Sequence, residues 1–142
     1  MKIGIVGTGN ISIRHLEEFN KINNVKVEAV CDINKDNLEK FLSLNKKYKI
    51  RGYSNLDEML SNEKNFDGIT NATPDKYHKE TSIKILNRGY NIFCEKPLAE
   101  NYDDAKVMVE AAINAKKINM VNFTYRESSA YQKLVEIIKS GE

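Results

Sequence analysis

The sequence contains little of what marks a secreted, metal-bound or membrane-spanning protein. It has only two cysteines, two prolines and no tryptophan among 142 residues. The cysteines, Cys31 and Cys94, lie far apart and form no C-x-x-C pair, so neither a zinc site nor a disulfide framework is indicated. No apolar run approaches the roughly 18 residues that a membrane helix needs. These absences favour a cytoplasmic protein that binds no metal and inserts into no membrane.

An excess of charge of either sign is also missing. Lys and Arg together number 22 and Asp and Glu 20, which leaves a formal net charge of +2. The basic residues are spread along the chain and form no stripe, so no nucleic-acid partner is expected. A chain of this length is typical of one globular domain with a core of its own.

Short β-branched runs alternate with longer segments of helical period, which is typical of an α/β fold. The predicted strands are 2–7, 25–31, 50–53, 67–71, 90–94 and 118–123. The predicted helices are 10–23, 35–48, 55–63, 75–88, 101–116 and 127–140. Asn101 is expected to cap the fifth helix, and Gly89 to end the fourth. The pattern predicts a three-layer, doubly wound parallel sheet of about six strands.

The first strand leads into Gly7-Thr8-Gly9-Asn10-Ile11-Ser12, and a helical pattern follows directly. This context fits a dinucleotide-binding loop, in which Gly7 allows a tight turn and Gly9 lets backbone N–H groups approach a diphosphate. Ser12 departs from the usual Gly or Ala at the third position. Two alternatives stay open at this point: a bare tight turn, and a methyltransferase that binds S-adenosylmethionine.

An acidic residue follows the second strand at a suggestive distance. Asp32 comes 23 residues after Gly9 (32 minus 9). A carboxylate at this place can accept both hydroxyls of an adenosine ribose and would repel a 2′-phosphate, and no arginine follows immediately to bind one. NAD is therefore favoured over NADP. The alternative is a helix cap or a solvated aspartate.

The residues at the ends of the later strands distinguish a dinucleotide-binding loop from a bare tight turn and from a methyltransferase. Asn71-Ala72-Thr73-Pro74 and His78 follow the fourth strand, Glu95-Lys96-Pro97 follows the fifth, and Asn122 to Arg126 follow the sixth. In this order and spacing the segments resemble the glucose–fructose oxidoreductase and inositol dehydrogenase family (Gfo/Idh/MocA). The resemblance covers the whole chain.

The resemblance implies a Rossmann domain that binds a nicotinamide cofactor, followed in the family by a β-sheet domain that closes over a sugar, cyclitol or related polyol. It implies that Lys96 is catalytic, hydrogen-bonding the substrate hydroxyl that becomes a carbonyl. Glu95 would position the loop or the nicotinamide end. The residues expected at the cofactor are Gly7, Thr8, Gly9, Asn10, Ile11, Asp32, Asn71, Ala72, Thr73, Pro74, His78, Glu95, Lys96 and Arg126.

Other expectations concern the chain's extent and its less clear residues. Residues 1–125 are expected to form the dinucleotide-binding domain, and 126–142 a helix that would lead into a substrate domain absent from this chain. The resemblance implies that this domain supplies the proton acceptor and that the full-length enzyme is a homo-oligomer. His78 is expected to be structural or cofactor-adjacent, and His15 to be a packing or surface residue. The alternative function is a stand-alone NAD(H)-binding regulatory module.

Overall fold

A computed structural model describes residues 1–141 as one parallel sheet with helices on both faces. Glu142, the last residue of the expected terminal segment, lies outside the described residues. The strands are β1 (Lys2–Val6), β2 (Lys26–Cys31), β3 (Arg51–Tyr53), β4 (Gly68–Asn71), β5 (Ile92–Glu95) and β6 (Asn119–Asn122). Their order is β3-β2-β1-β4-β5-β6, and every pair is parallel. The predicted six-stranded, doubly wound sheet is therefore confirmed.

The helices follow the predicted segments closely. They are α1 (Asn10–Lys21), α2 (Lys35–Leu44), α3 (Leu56–Asn62), α4 (His78–Asn87), α5 (Tyr102–Ala115) and α6 (Ser129–Ser140). The segment expected as one helix over 35–48 is divided into α2 and a 3₁₀ turn, Lys46–Tyr48. The reason is Asn45, a buried residue whose side-chain amide donates to the Phe41 carbonyl (2.8 Å) and ends α2. A second 3₁₀ turn, Asp75–Tyr77, precedes α4.

Two predicted helix boundaries are formed as expected. The Asn101 side chain accepts a hydrogen bond from the Asp104 N–H (2.9 Å), which caps α5. Gly89 follows the end of α4 at φ +80°, a backbone conformation that residues with a Cβ rarely adopt. These local signals mark the start of α5 and the end of α4.

The core forms on both faces of the sheet. One face buries residues that include Met59, Ile69 and Ile85, and the other buries residues that include Leu16 and Phe41. Burial on both faces is typical of a parallel sheet, which helices cover on both sides. Within residues 1–141, no helix is both long enough and apolar enough to cross a membrane.

The two cysteines are buried and unbridged. Cys31 ends β2 and Cys94 lies in β5, with β1 and β4 between these strands. Three strand spacings separate them, roughly 14 Å, whereas a disulfide needs Cα atoms about 4.4 to 6.8 Å apart. Burial raises the pKa of the Cys31 thiol to about 12 and that of Cys94 to about 11. Both residues act as small apolar side chains of the core.

Candidate functional site

The glycine loop lies at the carboxyl edge of the sheet, where parallel α/β proteins bind ligands. Gly7 has φ +91°, and a Cβ built on it would lie 2.4 Å from the carbonyl oxygen of Ala72. Its N–H donates to the Cys31 carbonyl (2.8 Å). Gly7 therefore closes the turn between β1 and α1 directly against the loop that follows β4, and no larger residue fits there.

Gly9 plays a different part in the same loop. Its φ of −71° suits any residue, and apart from its chain neighbours a Cβ built on it would meet no heavy atom of residues 1–141 within 4 Å. Among these residues, no side chain caps α1 and no acidic group occupies its first turn, which begins with Asn10 and Ile11. The first N–H groups of a helix lack partners within the helix. Open space beside such N–H groups is what an approaching phosphate requires.

Asp32 connects the end of β2 to this loop. Its Oδ2 accepts from the N–H (2.8 Å) and the hydroxyl (2.7 Å) of Thr8, and its Oδ1 accepts from the Asn34 N–H (2.9 Å). An ionised carboxylate offers about four acceptor positions. Three are used within the chain, so Oδ1 has room for one further donor while these bonds persist. The sequence predicted a carboxylate that accepts two ribose hydroxyls, and this geometry favours one.

Gly9 and Asp32 open onto a large cleft, about 640 Å³ in volume. Its walls come from the loops after β1, β2, β3 and β4 and from helices α2, α3 and α4. Ser54, Asn55 and Tyr77 also line it, although the sequence analysis did not single them out. The signal that could have found Ser54 and Asn55 is their place directly after a strand of the parallel sheet.

The loop after β4 is organised by Asn71. This fully buried side chain donates to the His78 carbonyl (3.2 Å) and the Ser82 hydroxyl (3.0 Å), and it accepts from the N–H and the hydroxyl of Thr73 (3.3 and 2.7 Å). All four hydrogen-bonding positions of the amide are thereby used. Asn71 shapes the loop, while Ala72, Thr73 and Pro74 line the large cleft. The side-chain amide of Asn71, a residue expected at the cofactor, therefore has no free hydrogen-bonding position.

Lys96 lies at the end of β5, at the same edge of the sheet. It is exposed and lines a second cleft of about 550 Å³ together with aromatic and polar side chains from the loop after β6 and from α6. Arg126, expected at the cofactor, lines this second cleft together with Tyr125. The structure brings Lys96 and Arg126 to one cleft, and Gly9 and Asp32 to the other.

Glu95, next to Lys96, is held in a buried polar cluster. Its Oε1 accepts from Asn122 (Nδ2, 2.6 Å) and lies 2.7 Å from Nε2 of His15, and its Oε2 accepts from the Lys96 N–H (3.2 Å). Burial acts to raise the pKa of Glu95, but these hydrogen bonds outweigh it and hold the pKa below the usual range. His15, expected as a packing or surface residue, is buried and is a polar partner of this carboxylate. No local sequence pattern indicates that pairing, because 80 positions separate the two residues.

His78 is fully buried at the start of α4. Its Nδ1 lies 2.7 Å from the Pro97 carbonyl oxygen and its Nε2 2.8 Å from that of Thr73. Among residues 1–141, no group of three or more His, Cys, Asp or Glu side chains is placed to hold a metal ion. Both ring nitrogens of His78 thus face backbone carbonyl oxygens of two loops, and His78 lines neither cleft.

Comparison with known proteins gives a consistent result. The model of a family described as "Oxidoreductase family, NAD-binding Rossmann fold" (GFO_IDH_MocA) matches residues 1–123. Glucose-6-phosphate 3-dehydrogenase of Bacillus subtilis is 32% identical over 139 residues, which are 98% of this chain and 37% of the relative. Inositol 2-dehydrogenase of Salmonella typhimurium is 33% identical over 146 aligned positions, which cover all of this chain and 42% of the relative.

Solved structures agree with these sequence matches. The WlbA dehydrogenase of Bordetella pertussis, in complex with NADH and UDP-GlcNAcA, superimposes with a TM-score of 0.89 at 28% identity, over 99% of this chain and 42% of that one. The myo-inositol 2-dehydrogenase of Lactobacillus plantarum gives a TM-score of 0.85 at 28% identity, over 99% and 41%. The chain thus spans about two fifths of the length of these relatives. From its fold, its glycine loop and its family match, the chain belongs to the Gfo/Idh/MocA oxidoreductase family and forms the NAD-binding Rossmann fold of that family.

Proposed function

We propose that the chain binds NAD(H) with the adenosine in the 640 Å³ cleft and the diphosphate at the start of α1. The observation that carries this proposal is the open space at Gly9, beside helix N–H groups without a side-chain cap and next to Asp32. An anion there would gain hydrogen bonds and the favourable end of the helix dipole. Asp32 would accept a ribose hydroxyl through Oδ1 and disfavour the 2′-phosphate of NADP.

We further propose that Lys96 acts on the substrate of the complete enzyme. Nicotinamide, when bound, supplies the hydride acceptor for a secondary alcohol of a sugar, a cyclitol or a related polyol. An ammonium group at Lys96 would donate a hydrogen bond to the alcohol oxygen and stabilise negative charge developing on it. Support comes from the exposure of Lys96 in its own cleft and from the relatives, which are dehydrogenases of glucose 6-phosphate and of inositol. The proton acceptor is expected from residues beyond this chain.

The test is a calorimetric titration of the 142-residue chain with NADH and, separately, with NADPH. We expect saturable binding of NADH and weaker binding of NADPH. The matched control is Lys106→Met, which removes an exposed ammonium group of α5 that lines neither cleft and should leave NADH affinity within about threefold. Failure of NADH to bind at millimolar concentration would overturn the proposal.

A second measurement concerns the limits of the chain. The chain with NAD and a panel of polyols should produce no NADH, because the proton acceptor and most substrate contacts are assigned to residues that it does not contain. Turnover that is lost in Lys96→Met would show that this assignment of the proton acceptor is wrong.

A further inference from the structure

Both histidines of the chain contact the short segment that carries Lys96. The sequence holds two histidines, and both are buried. His15 lies on α1 and reaches Glu95, the residue before Lys96, while His78 opens α4 and reaches Pro97, the residue after it. Contacts from two helices therefore flank one exposed lysine.

On the amino-terminal side, His15 acts through the Glu95 carboxylate. The imidazole packs against both Phe19 and Phe93, with ring centroids 5.9 and 5.7 Å away, so packing restricts its orientation. A carboxylate accepts hydrogen bonds, so the 2.7 Å contact places the proton on Nε2. The other carboxylate oxygen accepts the Lys96 N–H. Through its two carboxylate oxygens, Glu95 therefore connects His15 of α1 to the backbone N–H of Lys96.

On the carboxyl-terminal side, His78 joins two loops. Its ring nitrogens face the carbonyl oxygens of Pro97 and Thr73 at 2.7 and 2.8 Å. Carbonyl oxygens only accept, so a neutral ring donates to one of them and a protonated ring to both. In either form the ring lies between the Lys96–Pro97 segment and the loop that lines the large cleft.

We propose that His15 and His78 are positioning residues that fix the backbone of Lys96 from both sides. Each also connects Lys96 to a helix that begins at a cofactor-lining loop: α1 at Gly9, and α4 after Thr73 and Pro74. The functional meaning of this support rests on the role proposed above for Lys96. The support itself is a property of the chain that can be measured without turnover.

A simple core-filling role for the histidines makes a different prediction. Loss of a core side chain lowers the stability of the whole domain, and it speeds amide exchange wherever exchange proceeds by global opening. Loss of a positioning contact loosens Lys96 selectively. To separate these two predictions, a control variant must destabilise the domain at a site away from Lys96. Phe41→Leu is such a variant, because Phe41 is buried on α2.

The experiment measures by NMR, under native conditions, the hydrogen-exchange rate of the Lys96 backbone amide in the chain. Replacing His15 by Leu removes a hydrogen bond to a charged group, so we expect Lys96 exchange at least about tenfold faster than in the wild type. His78→Phe, which keeps the ring shape and loses both nitrogens, is expected to act in the same direction. His15→Gln retains a donor and should restore most of the protection. Phe41→Leu should leave Lys96 exchange within about threefold at a similar loss of thermal stability.

Several results would overturn the inference. Unchanged Lys96 exchange in His15→Leu would do so, as would equal acceleration in Phe41→Leu. If His15→Leu does not fold, Asn122→Ala takes its place: it removes the other side-chain donor to Glu95 Oε1 and must also accelerate Lys96 exchange. NADH titration of the wild type runs in parallel. Absence of binding there would contradict the proposed function and leave the exchange result to judge the positioning role separately.

Discussion

Alanine at the two loop glycines should separate folding from cofactor binding. At Gly7 a Cβ would lie 2.4 Å from a backbone oxygen of Ala72, and the residue would have to keep φ +91°. The left-handed conformation alone costs about 1 to 2 kcal/mol, and the backbone contact adds to it. At Gly9 the backbone conformation suits alanine and the added atom meets open space. There alanine should stabilise the free chain by about 0.4 to 1 kcal/mol, because it restricts the unfolded state.

Cofactor binding should respond in the opposite sense. The Cβ at Gly9 would occupy space through which a diphosphate approaches the first N–H groups of α1. A hydrogen bond to a charged group is worth about 1.5 to 3 kcal/mol, so losing one should weaken NADH binding by roughly 10- to 150-fold. The assays are denaturant unfolding and calorimetric NADH titration of the same samples. Gly9→Ala should thus be a folded chain that binds NADH poorly, and Gly7→Ala a destabilised one.

The pair of variants also defines what would refute this reasoning. A Gly9→Ala chain that binds NADH as tightly as the wild type would show that the diphosphate does not approach the start of α1. A Gly7→Ala chain of wild-type stability would show that the contact with Ala72 relaxes without cost. Either outcome is informative, because each glycine serves as the control for the other.

Three further predictions follow from charge and burial. The wild-type chain is expected to bind NADH more tightly than NADPH by about 1 to 3 kcal/mol, and Asp32→Asn, which keeps an acceptor for Thr8, should reduce this difference. Equal affinities of the wild type for the two cofactors at low salt would contradict the role of the carboxylate. Because the pKa of Glu95 is lowered in the folded chain, its contribution to stability is present at neutral pH and is lost as pH falls below about 4.5. The difference in melting temperature between wild type and Glu95→Gln should therefore shrink from pH 6 to pH 3, and a constant difference would exclude this linkage. Cys31 and Cys94, with thiol pKa values raised by burial to about 12 and 11, should react with iodoacetamide at pH 8 only after unfolding, and a Cys31–Cys94 linked peptide from oxidised native chain would contradict the strand order.

The features that could be predicted well from the sequence are those determined by residues close together in the chain. The strand–glycine–helix pattern around Gly7 and Gly9 fixes the first βα unit, and the alternation of strands and helices gives the parallel order. The cap at Asn101 is similarly local, since donor and acceptor are three residues apart. The interruption after α2 was missed, because it depends on Asn45 turning its amide onto a carbonyl in a buried position.

The features that escaped prediction depend on residues distant in the chain. His15 and Glu95 are 80 positions apart, and neither has a spacing pattern that indicates a partner. Asn71 belongs to a recognisable motif, yet the saturation of its amide could be seen only once α4 was in place. Burial and hydrogen-bond satisfaction are properties of the packed structure, so a motif locates such residues but does not assign what they contact.

The same helix serves the glycine loop and the support of Lys96. α1 begins beside Gly9, and His15 comes five residues after its first residue, Asn10. At 1.5 Å per residue, this is about 7.5 Å along the helix axis. The first turn of α1, where the diphosphate is proposed to bind, and the second turn, which carries His15, are joined by the backbone hydrogen bonds of the helix. The glycine loop and the His15–Glu95 contact therefore belong to one helix, so the proposed diphosphate site and the proposed support of Lys96 are positioned together.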